Sequence, residues 1–124
     1  LGYNSLLKGK KMSEYVPDRW VVLKLTSKVE GGATHYRIFA TWSGGYLTGN
    51  SWKLNSGIVQ AQVDRSNTWS FTGDTGSVYR CRAGGYGLSG YGAGVLQSLT
   101  DNNKDYLTIT VLDQLENWNE LNYT

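Results

Sequence analysis

Hydrophobic and polar positions divide this chain into short runs, mostly of two-residue period, separated by glycine and polar turns. Arg19-Trp20-Val21-Val22-Leu23-Lys24-Leu25-Thr26 is rich in β-branched residues and almost continuously apolar. A run of this kind suits a central strand with both faces covered. Glu30-Gly31-Gly32-Ala33 reads as a turn, and residues 35–42, His35 to Trp42, as a second strand. Together they predict an antiparallel hairpin. Residues 57–64 alternate, with Val59, Ala61 and Val63 on one face and Gln60 and Gln62 on the other. Arg65-Ser66-Asn67 turns the chain, and Thr68–Thr72 returns with Trp69 and Phe71 on one face. Alternation on both sides of a polar turn predicts a second hairpin.

Ser77–Arg82 and Tyr106–Leu112 read as further strands. Between them, the segment after Ser89 predicts a helix near residues 90–100. Ser89 is a suitable N-cap, although Gly90, Gly92 and Gly94 are poor helix formers. Leu112, Leu115, Trp118 and Leu121 recur every three residues, which suggests a short packed helix at the end of the chain. The expected fold is α+β, a mainly antiparallel β-sheet of five to seven strands with one or two short helices packed on it. Residues 1–18 read as an N-terminal tail and lead-in, closed by Pro17-Asp18, and residues 19–124 as a single β-rich domain. Met12-Ser13-Glu14 suits a natural start, which would make residues 1–11 an upstream extension, a processed end or residues foreign to the natural chain.

Composition narrows the class. A chain of 124 residues fits one domain, and 40% hydrophobic with 18% charged residues describes a folded protein. A net charge of +2 is too small for a nucleic-acid footprint, and Lys8, Lys10 and Lys11 sit on the tail. No long apolar run suggests a membrane span. Cys81 is the only cysteine, so no intrachain disulfide can form, which favours a reducing compartment. With one His and one Cys, the usual structural zinc site is excluded, and no metal or cofactor is expected.

Candidate chemistry gathers in residues 73–94, which hold eight of the sixteen glycines. Gly85-Tyr86-Gly87-Leu88-Ser89-Gly90 matches G-x-G-x-x-G between a strand and a helix start, the local context of a dinucleotide loop. The hairpins before it and the short chain after it do not fit a doubly wound sheet. A more general anion-binding loop, or a purely structural turn, also fits these residues. Arg80 and Arg82 share a strand face. Arg37 on a neighbouring strand would let three guanidinium groups converge on an anion. Trp42, Tyr46, Tyr79 or Tyr86 would add stacking surfaces, and Gly85, Gly87, Ser89, Gly90 and Tyr91 of the loop complete the candidate ligand-binding set. Cys81 and His35 are weak catalytic candidates, since a Cys–His pair needs the two side by side. Lone residues of these types are more often a buried apolar group and a surface imidazole.

Gly44-Gly45-Tyr46-Leu47, then Asn50–Gly57 and Gly76–Cys81, resemble a pattern in small uncharacterised accessory proteins of tailed bacteriophages, over roughly residues 19–112. The resemblance implies a protein made in the cytoplasm of an infected bacterium, where such proteins often bind a host protein or small molecule. The leading expectation is a non-catalytic, homo-oligomeric binding protein for a small anionic, nucleotide-like ligand or a host protein, with neither nucleic acid nor membrane as partner. One alternative is a small phage enzyme acting on a nucleotide-like metabolite. The other is a glycan-binding β module, which would show a row of exposed Trp rings.

Overall fold

The strand Arg19–Ser27 (β2) places successive side chains on opposite faces, and both faces are covered. Trp20 and Val22 enter one core cluster, while Val21, Leu23 and Leu25 enter another. This two-sided burial explains the unbroken apolar run, which supports the central-strand expectation. The computed structural model describes residues 13–29, 31–44 and 49–123. Thr34–Trp42 (β3) pairs antiparallel with β2 over its whole length, from Arg19 opposite Thr41 to Thr26 opposite Thr34. Ser51–Leu54 (β4) adds to the outer side of β3. Leu107–Val111 (β8) adds to the other side of β2. The first sheet therefore has the order β4-β3-β2-β8.

The second sheet contains the other predicted hairpin, Ile58–Val63 (β5) and Thr68–Gly73 (β6), followed by Val78–Arg82 (β7). Glu14–Tyr15 (β1) joins it by parallel pairing with β7. The end of the predicted lead-in is thus built into the sheet, and Pro17 behind it is fully buried. The two sheets stack face to face. Trp20, Val22, Ile38 and Ala40 from the first meet Ile58, Trp69, Phe71, Tyr79 and Cys81 from the second. On the far face of the first sheet, the helix Gly90–Asn103 (α1) covers Val21, Leu23, Leu25 and Phe39. The molecule is a sheet-dominated α+β fold in three layers, sheet, sheet and helix. Among the described residues, no helix is long and apolar enough to cross a membrane.

Three details depart from the sequence expectations. Instead of one sheet of five to seven strands, the described residues form eight strands in two sheets. Alternation identifies a buried face but not which sheet owns it. In β5, a register shift between Ile58 and Gln60 breaks the expected alternation. Ile58 and Ala61 point into the core, while Val59 and Val63 are about half exposed. The C-terminal segment is not an α-helix. Its ordered turn is the 3-10 helix Trp118–Glu120, capped by the Asn117 side chain accepting from the Asn119 amide. Residues 112–117 form no helix, and Leu112, Leu115 and Leu121 pack against the same core without a shared helical period. The 3-10 turn carries Trp118, fully buried, into the inter-sheet core.

The helix starts where expected, with Ser89 Oγ accepting from the Gly92 amide at 3.0 Å. Gly92 is where the helix comes closest to the sheet. A Cβ there would lie 3.1 Å from Thr41 Cγ2 and 3.5 Å from a Phe39 ring carbon. A Cβ on Gly94 would meet nothing within 4 Å. Gly94→Ala is therefore expected to stabilise the protein by about 0.5–1 kcal/mol through helix propensity. Gly92→Ala should fall short of that gain because its methyl presses on Thr41. Urea denaturation of the two variants checks the order.

Candidate functional site

The glycine loop after β7 is first a piece of backbone pairing. β8 ends at Val111, opposite Leu23, so the start of β2 has no strand beside it on that side. The loop supplies the missing partners. The Gly87 amide donates to the Trp20 carbonyl at 2.8 Å. The Val22 amide donates to the Tyr86 hydroxyl at 3.1 Å. That hydroxyl donates in turn to the Leu112 carbonyl at 2.6 Å, and the Leu112 amide donates to the Val22 carbonyl at 3.0 Å. Burial raises the Tyr86 phenol above its usual range, so it remains a donor at neutral pH. Its ring stands edge-on to Trp20 at 4.7 Å and packs on Trp118 at 5.6 Å. Gly87 has φ +132°, and a Cβ there would lie 2.7 Å from an Arg19 guanidinium nitrogen. The backbone conformation therefore demands glycine, whereas the Arg19 side chain could move aside.

This arrangement rules out the dinucleotide reading on topology. β7 belongs to the second sheet and β8 to the first, where β8 runs antiparallel to β2. No βαβ unit surrounds the glycines. Gly90 opens α1 on the surface, Tyr91 follows it half-buried, and Ser89 is committed to its cap.

The three arginines do not converge. Arg80 lies on the outer face of the second sheet, 3.7 Å from both Glu14 and Asp64 carboxylates. Arg37 lies on the α1 side of the first sheet, where its Nε donates to His35 Nε2 at 3.0 Å. Cys81 is fully buried between the sheets, on the other side of the first sheet from His35, so the two form no dyad. Burial pushes the Cys81 thiol far above its ordinary range. Burial, and secondly the Arg37 charge, lowers the His35 pKa. Tyr46 lies outside the described residues. Trp20 and Trp69 are buried. Trp42 and Trp52 occupy opposite faces of the first sheet, since Trp52 stands opposite Thr41 and Ser51 opposite Trp42. No row of exposed Trp rings exists among the described residues. No described group of three or more His, Cys, Asp or Glu could hold a metal ion.

The structure does bring Arg82 together with Arg19, a residue the sequence reading assigned only to a strand. Both line a cleft of about 610 Å³, together with Ser66, Asn67 and Thr68 of the β5–β6 turn and the backbone of Gly84 and Gly85. Asp64 fixes that turn. Its Oδ1 accepts from the Ser66 amide and hydroxyl and from the Thr68 amide at 2.8–3.1 Å. The Ser66 hydroxyl bond, then the Thr68 amide, lowers the Asp64 carboxyl below its ordinary value. Asp18 also borders the cleft, and its Oδ2 accepts from the Ser43 amide at 2.7 Å. Among the described residues, no carboxylate lies within 4.0 Å of Arg19 or Arg82. The cleft is thus lined by two arginines, Asp18, a hydroxyl-bearing turn and the open backbone of Gly84.

Compared with protein-family models, curated protein sequences and solved structures, the chain finds no match.

The Cys81 environment predicts chemical silence. At pH 8 an aromatic disulfide reagent should leave the folded protein unlabelled and should titrate one thiol per chain after unfolding. Fast labelling of the native protein would contradict this placement.

Proposed function

We propose that this chain is a non-catalytic binding protein that takes a small anionic, nucleotide-like ligand in the cleft between Arg19 and Arg82. One observation carries the reading. Two arginines from different strands line the same cleft, and no described carboxylate lies within 4.0 Å of either guanidinium. Arginine forks match phosphate and carboxylate oxygens in bidentate geometry, and exposed glycine backbone lets an anion approach closely. A Cβ on Gly84 would meet nothing within 4 Å, so the space above it is open. The separation of Cys81 from His35 removes the support for a Cys–His enzyme, and the scattered Trp residues remove it for a glycan platform. In the infected-cell cytoplasm that the phage resemblance implies, a protein of this kind would carry or sequester a host metabolite, as a homo-oligomer.

Native mass spectrometry of the protein as purified from cells tests the reading, followed by calorimetric titration with nucleoside mono-, di- and triphosphates. The expected result is a bound anionic species or saturable nucleotide binding. Arg82→Ala and Arg19→Ala should each weaken that binding roughly ten- to hundredfold, the loss expected for a charge-assisted hydrogen bond. Arg80→Ala should leave it unchanged, because Arg80 faces Glu14 and Asp64 outside the cleft. A clean apo protein with no response to any of these nucleotides would overturn the proposal. The same spectrum reports the oligomeric state.

A further inference from the structure

A second hollow lies between α1 and the first sheet and shares no lining residue with the arginine cleft. The near end of α1 is seated tightly on the sheet at Gly92 and Leu96. Farther along, Leu99 and Asn103 stand over Leu25 and Leu107 with a space of about 320 Å³ left between. Its walls are mainly aliphatic, and Leu23 and Ile109 complete them on the sheet side. His35 and Arg37 from β3 also line it. Arg37 is half-buried, its Nε is engaged by His35 Nε2, and no described carboxylate lies within 4.0 Å of it. A cation partly removed from water is costly without a counter-charge. A hydrocarbon-lined hollow beside such a cation complements one kind of molecule, with an apolar body and a single anionic head.

We propose that this hollow binds a small aliphatic carboxylate, its chain against Leu23, Leu25, Leu99 and Leu107 and its head on the Arg37 guanidinium. The volume is at the small end of the range for ligand pockets, about 300–1,000 Å³, so the occupant is a single short chain rather than a diacyl lipid. His35 is a positioning residue. Its lowered pKa keeps the imidazole neutral near pH 7, so Nε2 can accept from Arg37 and hold the guanidinium in place.

The test is an amide NMR titration of the full chain with decanoate, decanol and decylamine. These share a chain and differ in the head group. Decanoate should shift the amides near Leu99, Asn103 and Leu107 saturably, decanol should bind more weakly and decylamine should not bind there. Arg37→Gln should weaken decanoate at least about tenfold, and Arg37→Lys should recover part of the loss. Nucleoside phosphates should not displace decanoate, which separates this site from the arginine cleft. Equal responses to decanoate and decylamine, an unchanged affinity in Arg37→Gln, or shifts confined to other surfaces would each overturn the proposal. If Arg37→Gln does not fold, the comparison of the three head groups on the unaltered protein decides alone.

Discussion

The Tyr86 hydroxyl accepts a hydrogen bond from the Val22 amide and donates one to the Leu112 carbonyl. Much of the structure depends on this one group. β2 is the central strand of the first sheet and is buried on both faces, so its backbone polar groups cannot turn to water. β8 is too short to pair with the start of β2. Tyr86 and Gly87 fill that gap, and the bond from Trp20 Nε1 to the Arg82 carbonyl at 2.7 Å ties the end of β7 to the same place. One polar side chain, from the loop that leaves the second sheet, thus closes the gap between β2 and the segment after β8 in the first sheet.

The glycine loop consequently has two duties on adjacent residues. Gly85 and Gly87 serve the fold. A Cβ on Gly85 would lie 3.1 Å from the Asp18 carbonyl, and Gly87 has φ +132°. Gly84 has open space above it and lies in the cleft between Arg19 and Arg82. The loop's pairing to β2 brings Arg82, at the end of β7, beside Arg19, at the start of β2. The cleft is therefore a by-product of how the sandwich is closed, and its two arginines come from positions 63 residues apart.

Much of the fold was legible in the sequence because its signals are local. The apolar run of β2, the two hairpins, the Ser89 cap and the strand before Leu112 each arise from neighbouring residues. The division into two sheets was not legible, because Trp20 and Trp69 read alike whichever sheet they join. The bulge beside Val59 and the 3-10 turn at Trp118 depend on how distant strands pack. The site was legible only in part. Arg82 and Gly85 were found through the density of glycine around them. Arg19 was missed because nothing near it in sequence marks it as a partner of Arg82. Arg80 shares its strand face with Arg82 but is held by Glu14 and Asp64, and Arg37 lies on the helix side of the other sheet.

The most direct measurement is the urea stability of Tyr86→Phe together with its ligand affinity in the arginine cleft. The substitution keeps the ring among Trp20 and Trp118 and removes only the hydroxyl. It leaves the Val22 amide and one bond of the Leu112 carbonyl unmet, so a loss of about 1–3 kcal/mol is predicted. Affinity in the folded variant should be little changed, because Tyr86 does not line the cleft. Unchanged stability combined with lost binding would contradict the account, since it would make Tyr86 a ligand contact rather than the fastening of the loop to β2 and Leu112.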